Sequence, residues 1–262
     1  MSDADSRQAT RNGNSPAVIL VNPQLGENIG AVARAMLNCG LTDLRLVRPR
    51  DPWPNSQANA AASGADSVVD TARLFENTED AIADLHRVYA ATARPRDMVI
   101  PLMPPRVAVR DMREAIAAGS SVGVLFGAER AGLSNDDVTL ADTVIEIPLN
   151  PKFRSLNLAQ AVLIVSYEWF MAPTPEFAVA DDTVAADWRE TGDTEPVSKA
   201  DLLNFFSRLE AELDDCGFLL PIEKRPNMVR TIRNIFQRTR LTDQDVRTLH
   251  GIVSGLIRRH DS

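Results

Sequence analysis

Only two cysteines occur in the 262 residues, Cys39 and Cys216, in separate segments. That argues against a disulfide framework and for a reducing compartment. Histidine is as scarce. His86, His250 and His260 stand far apart, which excludes a histidine metal site and a histidine-centred triad, and no feature of the chain calls for a metal. No apolar run approaches the roughly 20 residues of a membrane span. The first fifteen residues are polar and lack the apolar core of a signal peptide. The expectation is a cytoplasmic protein with a disordered leader over 1–15. Two nucleotide signatures are also missing: no Gly-x-Gly-x-x-Gly follows the first strand-like run, and there is no P-loop.

What is present is a chain with enough apolar residues, 44%, for a sizeable core in one large domain or two unequal ones. Residues 17–22, 44–47, 88–92, 121–127 and 143–149 read as short buried strands. Ile29, Val32, Met36 and Leu37 share one helical face, and Asp80 to Leu85 and Val109 to Ala118 read as further helices. Strands alternating with helices predict an α/β fold with a mostly parallel sheet covered on both faces. A long apolar helix is expected over Ser155–Met171, capped by Ser155. The acidic stretch 173–197 reads as a linker. Beyond it, Ser198 with Asp201 opens a helix to about Asp215 that Gly217 stops, and Pro226–Thr239 and Thr242–Arg259 supply two more. Residues 198–262 thus read as a small all-α unit.

The net charge of −8 argues against nucleic acid, but its distribution does not. Lys224, Arg225, Arg230, Arg233, Arg238 and Arg240 fall within a segment that holds no acid. On the helix from Pro226, Met228, Val229, Ile232, Ile235 and Phe236 form an inward stripe, and Arg230, Arg233, Gln237 and Arg238 lie largely outside it. Such a face either contacts phosphates or is simply solvated.

Three separated stretches stand out: Asn22–Met36 (NPQLGENIGAVARAM), Val124–Leu133 (VLFGAERAGL) and Ile147–Ala161 (IPLNPKFRSLNLAQA). Each passes from an apolar, strand-like run through Gly, Pro or Asn into an alanine-rich or apolar pattern. Ligand sites of open α/β sheets are built at such turns, so the three predict one composite pocket. Asn28 suits a helix N-cap, and Gly30 permits close backbone approach. Arg34 is a lone charge among small residues. It reads either as a solvated surface arginine or as a guanidinium aimed at a phosphate or a reacting oxygen. Gly127 lets a flat ligand approach the strand end, with Glu129 at the rim. Ile147-Pro148-Leu149 continues the last strand into Ser155-Leu156-Asn157.

The order NIG-x-x-AR, FG-x-E-x-x-GL, then IP followed by SLN resembles the motifs of the SPOUT superfamily of RNA methyltransferases, in its TrmH-like, ribose 2'-O-methylating branch. The likeness is strong over about 17–171 and looser in the tail. It implies a methyltransferase domain over 16–172 whose sheet ends in a trefoil knot, a tRNA-binding helical domain over 198–262, and a homodimer with each site near the subunit interface. It implies S-adenosyl-L-methionine held by Ala91, Thr92, Ala93, Gly127, Ile147, Leu149, Ser155, Leu156 and Asn157. Catalytic positions would be Arg34, Asn28, Glu129, Ser155 and Asn157, with RNA on Arg34, Lys224, Arg225, Arg230, Arg233 and Arg238. The reaction implied is methylation of the ribose 2'-hydroxyl of nucleotide 32, a cytidine or uridine, in the tRNA anticodon loop. The Gly26-Glu27 pair departs from the Pro-Gly often found ahead of NIG.

Overall fold

The computed structural model describes residues 15–92, 100–172 and 194–260. The leader over 1–14, Ala93 and most of the acidic stretch lie outside the described residues.

Seven strands form one parallel sheet: β1 (Ala17–Val21), β2 (Leu44–Val47), β3 (Arg73–Phe75), β4 (Arg87–Ala91), β5 (Leu102–Met103), β6 (Val122–Phe126) and β7 (Thr143–Ile145). Their order is β3-β2-β1-β6-β4-β7-β5, every neighbouring pair parallel. The central strands carry no polar face because helices cover both sides. On β1, Val18 and Leu20 point into one core with α1 (Gly26–Asn38), α5 (Pro105–Ala117) and α7 (Leu158–Met171). Ile19 and Val21 point into the other, with α4 (Thr78–Ile82) and α6 (Asn135–Thr139). Two short helices, α2 (Ser56–Ala62) and α3 (Asp66–Asp70), complete the first layer. The expected α/β architecture is therefore what forms.

Several local expectations are corrected. The strand expected over 143–149 stops at Ile145, because Pro148 lacks a ladder donor and residues 146–150 run on without strand structure. Strands β3 and β5 escaped the sequence reading, being three and two residues long with no alternation to count. Helix α1 begins at Gly26, so Asn28 lies inside its first turn rather than capping it. Helix α7 begins at Leu158, and its cap is Asn157, whose Oδ1 accepts the Ala159 N–H at 2.8 Å. Ser155 does not cap it.

The tail is all helical: α8 (Lys199–Asp215), α9 (Arg225–Gln237) and α10 (Asp243–His260). Ser198 accepts the Asp201 N–H at 3.1 Å, and Gly217 takes φ +76° to end α8. Phe205, Phe206 and Phe236 form its core, with Phe205 edge-on to Phe236 at 5.2 Å. Pro196 bridges to Thr242 and Val197 is buried, so 194–197 pack with the tail. The tail is docked on the sheet domain. Lys199 N–H donates to Leu85 O at 2.9 Å, and the buried Lys199 ammonium meets Asp142 at 2.6 Å.

Candidate functional site

The strand order explains why the three stretches meet. Strands β1, β6, β4 and β7 are consecutive neighbours and parallel, so all four end on the same edge. Their following segments are α1, the loop 127–133, Ala91–Thr92, and the loop 146–157. A cavity of about 350 Å³ opens there, within the roughly 300–1,000 Å³ usual for small-molecule sites.

Its floor is Phe126 and Ile145 at the strand ends, with Ala91 and Thr92 beside them. Ile147, Leu149 and Leu156 form an apolar wall, Leu158 and Ala161 of α7 close the back, and Gly127, Ala128, Glu129, Arg130 and Gly132 the opposite side. Behind it β4 is held rigidly: the Tyr89 hydroxyl donates to Asp111 of α5 at 2.5 Å, and Arg87 pairs with Asp111 at 3.0 Å. Burial, above all, pushes the Tyr89 phenol well above its ordinary value, so it stays protonated as the donor.

Gly127 is required by the chain itself. A Cβ there would lie 2.1 Å from the Gly132 carbonyl carbon and from the Leu133 nitrogen, because the loop folds back on itself through an Ala128–Gly132 bridge. The same holds at Gly30, where a Cβ would sit 2.1 Å from Ala58 O. Its close approach is to α2, not to a ligand.

The polar residues form one connected chain. Glu129 accepts from Gln24 N–H at 2.9 Å, Leu25 N–H at 3.2 Å and Asn28 Nδ2 at 2.8 Å. Asn28 Oδ1 accepts from Asn157 Nδ2 at 2.9 Å, and Asn157 N–H donates to Gln160 Oε1 at 3.0 Å. A carboxylate over 100 residues away thus supplies the anion for the N-terminus of α1, whose own cap position, Leu25, has no side-chain acceptor.

Of the residues expected at the cofactor, Ala91, Thr92, Gly127, Ile147, Leu149, Ser155 and Leu156 line the cavity. Asn157 stands beside it, bonded to Asn28, and Ala93 is outside the described residues. Arg34 does not line it: it is exposed on the outer face of α1. Missed as lining residues are Phe126, Arg130 and Arg154, all inside the stretches singled out. Arg154 pairs with Glu146 at 3.4 Å.

The cationic segment of the tail is not an uninterrupted face. Arg225 pairs with Asp214 at 2.5 Å, Arg230 with Asp136 of α6 at 2.8 Å, Arg233 with Glu210 at 2.7 Å and Arg240 with Asp111 at 3.5 Å. The acids come from other elements, which no window on the segment could show. Lys224 and Arg238 are exposed and have no acid partner among the described residues. On α9 the stripe also shifts: Gln237 is buried, whereas Ile235 is exposed. Among the described residues no group of His, Cys, Asp or Glu is placed to hold a metal, and no helix is long and apolar enough to cross a membrane.

A parallel sheet with a composite pocket where neighbouring strands end is the architecture of an α/β ligand-binding protein. Residues 15–167 match the SpoU rRNA Methylase family, and residues 200–262 match the C-terminal domain of the tRNA methyltransferase TrmJ. The tRNA (cytidine/uridine/adenosine-2'-O-)-methyltransferase TrmJ of Pseudomonas aeruginosa is 36% identical over 90% of this chain and 91% of its own. The tRNA (cytidine/uridine-2'-O-)-methyltransferase TrmJ of Pectobacterium atrosepticum is 35% identical over 93% and 97%. The crystal structure of TrmJ from Z. mobilis superposes with a TM-score of 0.80 at 45% identity, covering 92% of this chain and 99% of that one. The chain belongs to the TrmJ family of methyltransferases.

Proposed function

We propose that this protein uses S-adenosyl-L-methionine to methylate the ribose 2'-hydroxyl of nucleotide 32, a cytidine or uridine, in the anticodon loop of tRNA. The observation that carries this reading is the junction of Asn28, Glu129 and Asn157 at the mouth of a cavity walled by the motif loops. The cavity suits the cofactor chemically. Ile147, Leu149 and Leu156 offer apolar plates for an adenine, and the Glu129 carboxylate has the sign that favours a sulfonium. When bound, the cofactor supplies an electrophilic methyl group.

The protein's part is then positioning. Holding the hydroxyl in line is worth roughly 7–11 kcal/mol when alignment is good. Asn28 and Asn157, locked by Glu129 and Gln160, present fixed amides at the mouth. A guanidinium, with a pKa above about 12, is a poor base, so Arg34 in this reading orients the ribose and steadies developing oxyanion charge. In this reading Arg34, exposed on the outer face of α1, meets RNA that lies across a homodimer. Helices α1 and α7 pack side by side and leave Leu37, Leu163, Tyr167 and Phe170 exposed, an apolar face suited to a second copy. The reading includes the trefoil passage of the 146–157 loop and a tail that holds tRNA.

The test is to incubate total unmodified tRNA with the protein and labelled cofactor, then map the methylated nucleoside by mass spectrometry. Ribose methylation at position 32 is expected; a methyl group on a base, or none, refutes the proposal.

A further inference from the structure

Phe153 is the most exposed large apolar side chain among the described residues, at 70%. It stands at the tip of the loop between β7 and α7. Its N–H donates to Asn150 O at 2.9 Å, and the Lys152 N–H donates to Asn150 Oδ1 at 3.0 Å, so a closed turn presents the ring. The turn chemistry is met by Asn150 and Pro151 and needs no aromatic. The ring fills no core among the described residues: it belongs to none of their three apolar clusters.

Its neighbours point to a ligand. Lys152, exposed and without an acid partner among the described residues, precedes it, and Arg154, half-exposed and paired with Glu146 at 3.4 Å, follows it. Arg154 lines the cavity, as do the next two residues, Ser155 and Leu156. The residue after them is Asn157, bonded to Asn28. An exposed ring between two cations, at the lip of a pocket, is the composition of a stacking platform for single-stranded nucleic acid.

We infer that Phe153 stacks on an unpaired nucleobase of the RNA, at or next to the nucleotide being methylated, with Lys152 and Arg154 beside its phosphates. The inference rests on the ribose-methylation reading above. It also answers a mechanical need of that reading. The reacting group is on the sugar, and a ribose is immobilised only when its base is held. A ring face takes any base, so this contact fixes geometry rather than reading sequence. The 146–157 loop thereby serves two ligands, its Ile147–Leu149 arm facing the cofactor cavity and its tip facing the RNA.

The test compares wild type with Phe153→Leu, Phe153→Tyr and Phe153→Trp on unmodified tRNA. Phe153→Leu keeps the apolar volume but removes the π face. It is expected to raise the half-saturating tRNA concentration about 5- to 150-fold, the span of one base–aromatic stack, with cofactor affinity by calorimetry unchanged. Tyr and Trp restore tRNA affinity. Equal tRNA affinity for Phe153→Leu and wild type overturns the inference. So does a loss accompanied by a halved mass in analytical ultracentrifugation, which would make Phe153 part of a protein interface. Should wild type transfer no methyl group, the functional reading fails separately, and tRNA binding by fluorescence anisotropy with the same variants still decides the stack.

Discussion

Asn157 donates its side-chain N–H to Asn28 Oδ1 at 2.9 Å, joining positions 129 residues apart in the chain. The contact exists because Glu129 fixes the other end of Asn28 and Gln160 fixes the backbone of Asn157. The first helix of the sheet domain and its last are thereby tied at the mouth of the cavity.

Glu129→Gln tests that tie. A carboxylate accepts at both oxygens; an amide must turn its NH2 toward either the Gln24 N–H or the Asn28 amide. One donor is left facing another, at about 1–3 kcal/mol. Methyl transfer in a single turnover is expected to fall about 5- to 150-fold, with the fold retained by circular dichroism. An unchanged rate would reduce the cluster to a structural fastening.

Arg34→Ala and Arg34→Lys are expected to slow single-turnover methylation by about 10²–10³ at saturating tRNA, since an ammonium lacks the guanidinium's fixed fork of donors. Near-full activity in either variant removes Arg34 from the reaction.

Two glycine substitutions should differ in sign. Gly127→Ala places a Cβ 2.1 Å from backbone atoms that cannot yield cheaply, so the loop must open and cofactor affinity by calorimetry should drop. Gly251→Ala lies within α10 with nothing within 4 Å of the new Cβ. It removes a helix-interior glycine and should stabilise the tail by about 0.5–1 kcal/mol, read as a higher midpoint in urea.

How much of this was legible in the sequence depends on range. The buried strands Val18–Val21 and Val122–Phe126 announce themselves because their apolar residues are contiguous. So does α8, whose start signal Ser198 and stop signal Gly217 are both local. The site's polar wiring is not local. Nothing near Asn28 shows that its amide serves Glu129 rather than a helix cap, and nothing near Arg233 shows Glu210. Composition gave the tail a cationic face; tertiary packing neutralised four of its arginines. Gly127 reads as an opening for a ligand, whereas it admits another part of its own loop; the close backbone approach expected at Gly30 does form, against α2.

Acid should expose one buried charge cluster. Burial raises the Asp43 carboxyl, but bonds and charge from the buried Arg45, then from Arg73, overcome it and hold Asp43 below its usual value. A carboxylate so lowered stabilises the fold above its unfolded value of about 3.9, and that contribution is lost as pH falls through the folded value. Asp43→Asn should therefore be less stable than wild type in urea at pH 7 and at pH 5. The gap should narrow below about pH 4. A gap that persists undiminished at pH 3 contradicts the ionic origin.

The tail's cations divide into two groups that mutation can separate. Lys224 and Arg238 are exposed without acid partners among the described residues, and their charge is available to phosphates. Replacing each by Ala should weaken tRNA binding and lower the slope of log affinity against log salt by about 1 per residue, with little change in stability. Arg233 is different. It pairs with the buried Glu210 at 2.7 Å, and its guanidinium lies 5.7 Å from the centre of the Phe206 ring. Arg233→Ala leaves Glu210 without its counter-charge and strips packing from Phe206, so its first effect should be on folding: a lower urea midpoint, with the salt slope of the remaining folded protein unchanged. Equal salt slopes for wild type and the Lys224–Arg238 double variant would take the tail's free cations out of RNA binding. Tail binding would then rest on the uncharged surface of α9 and α10.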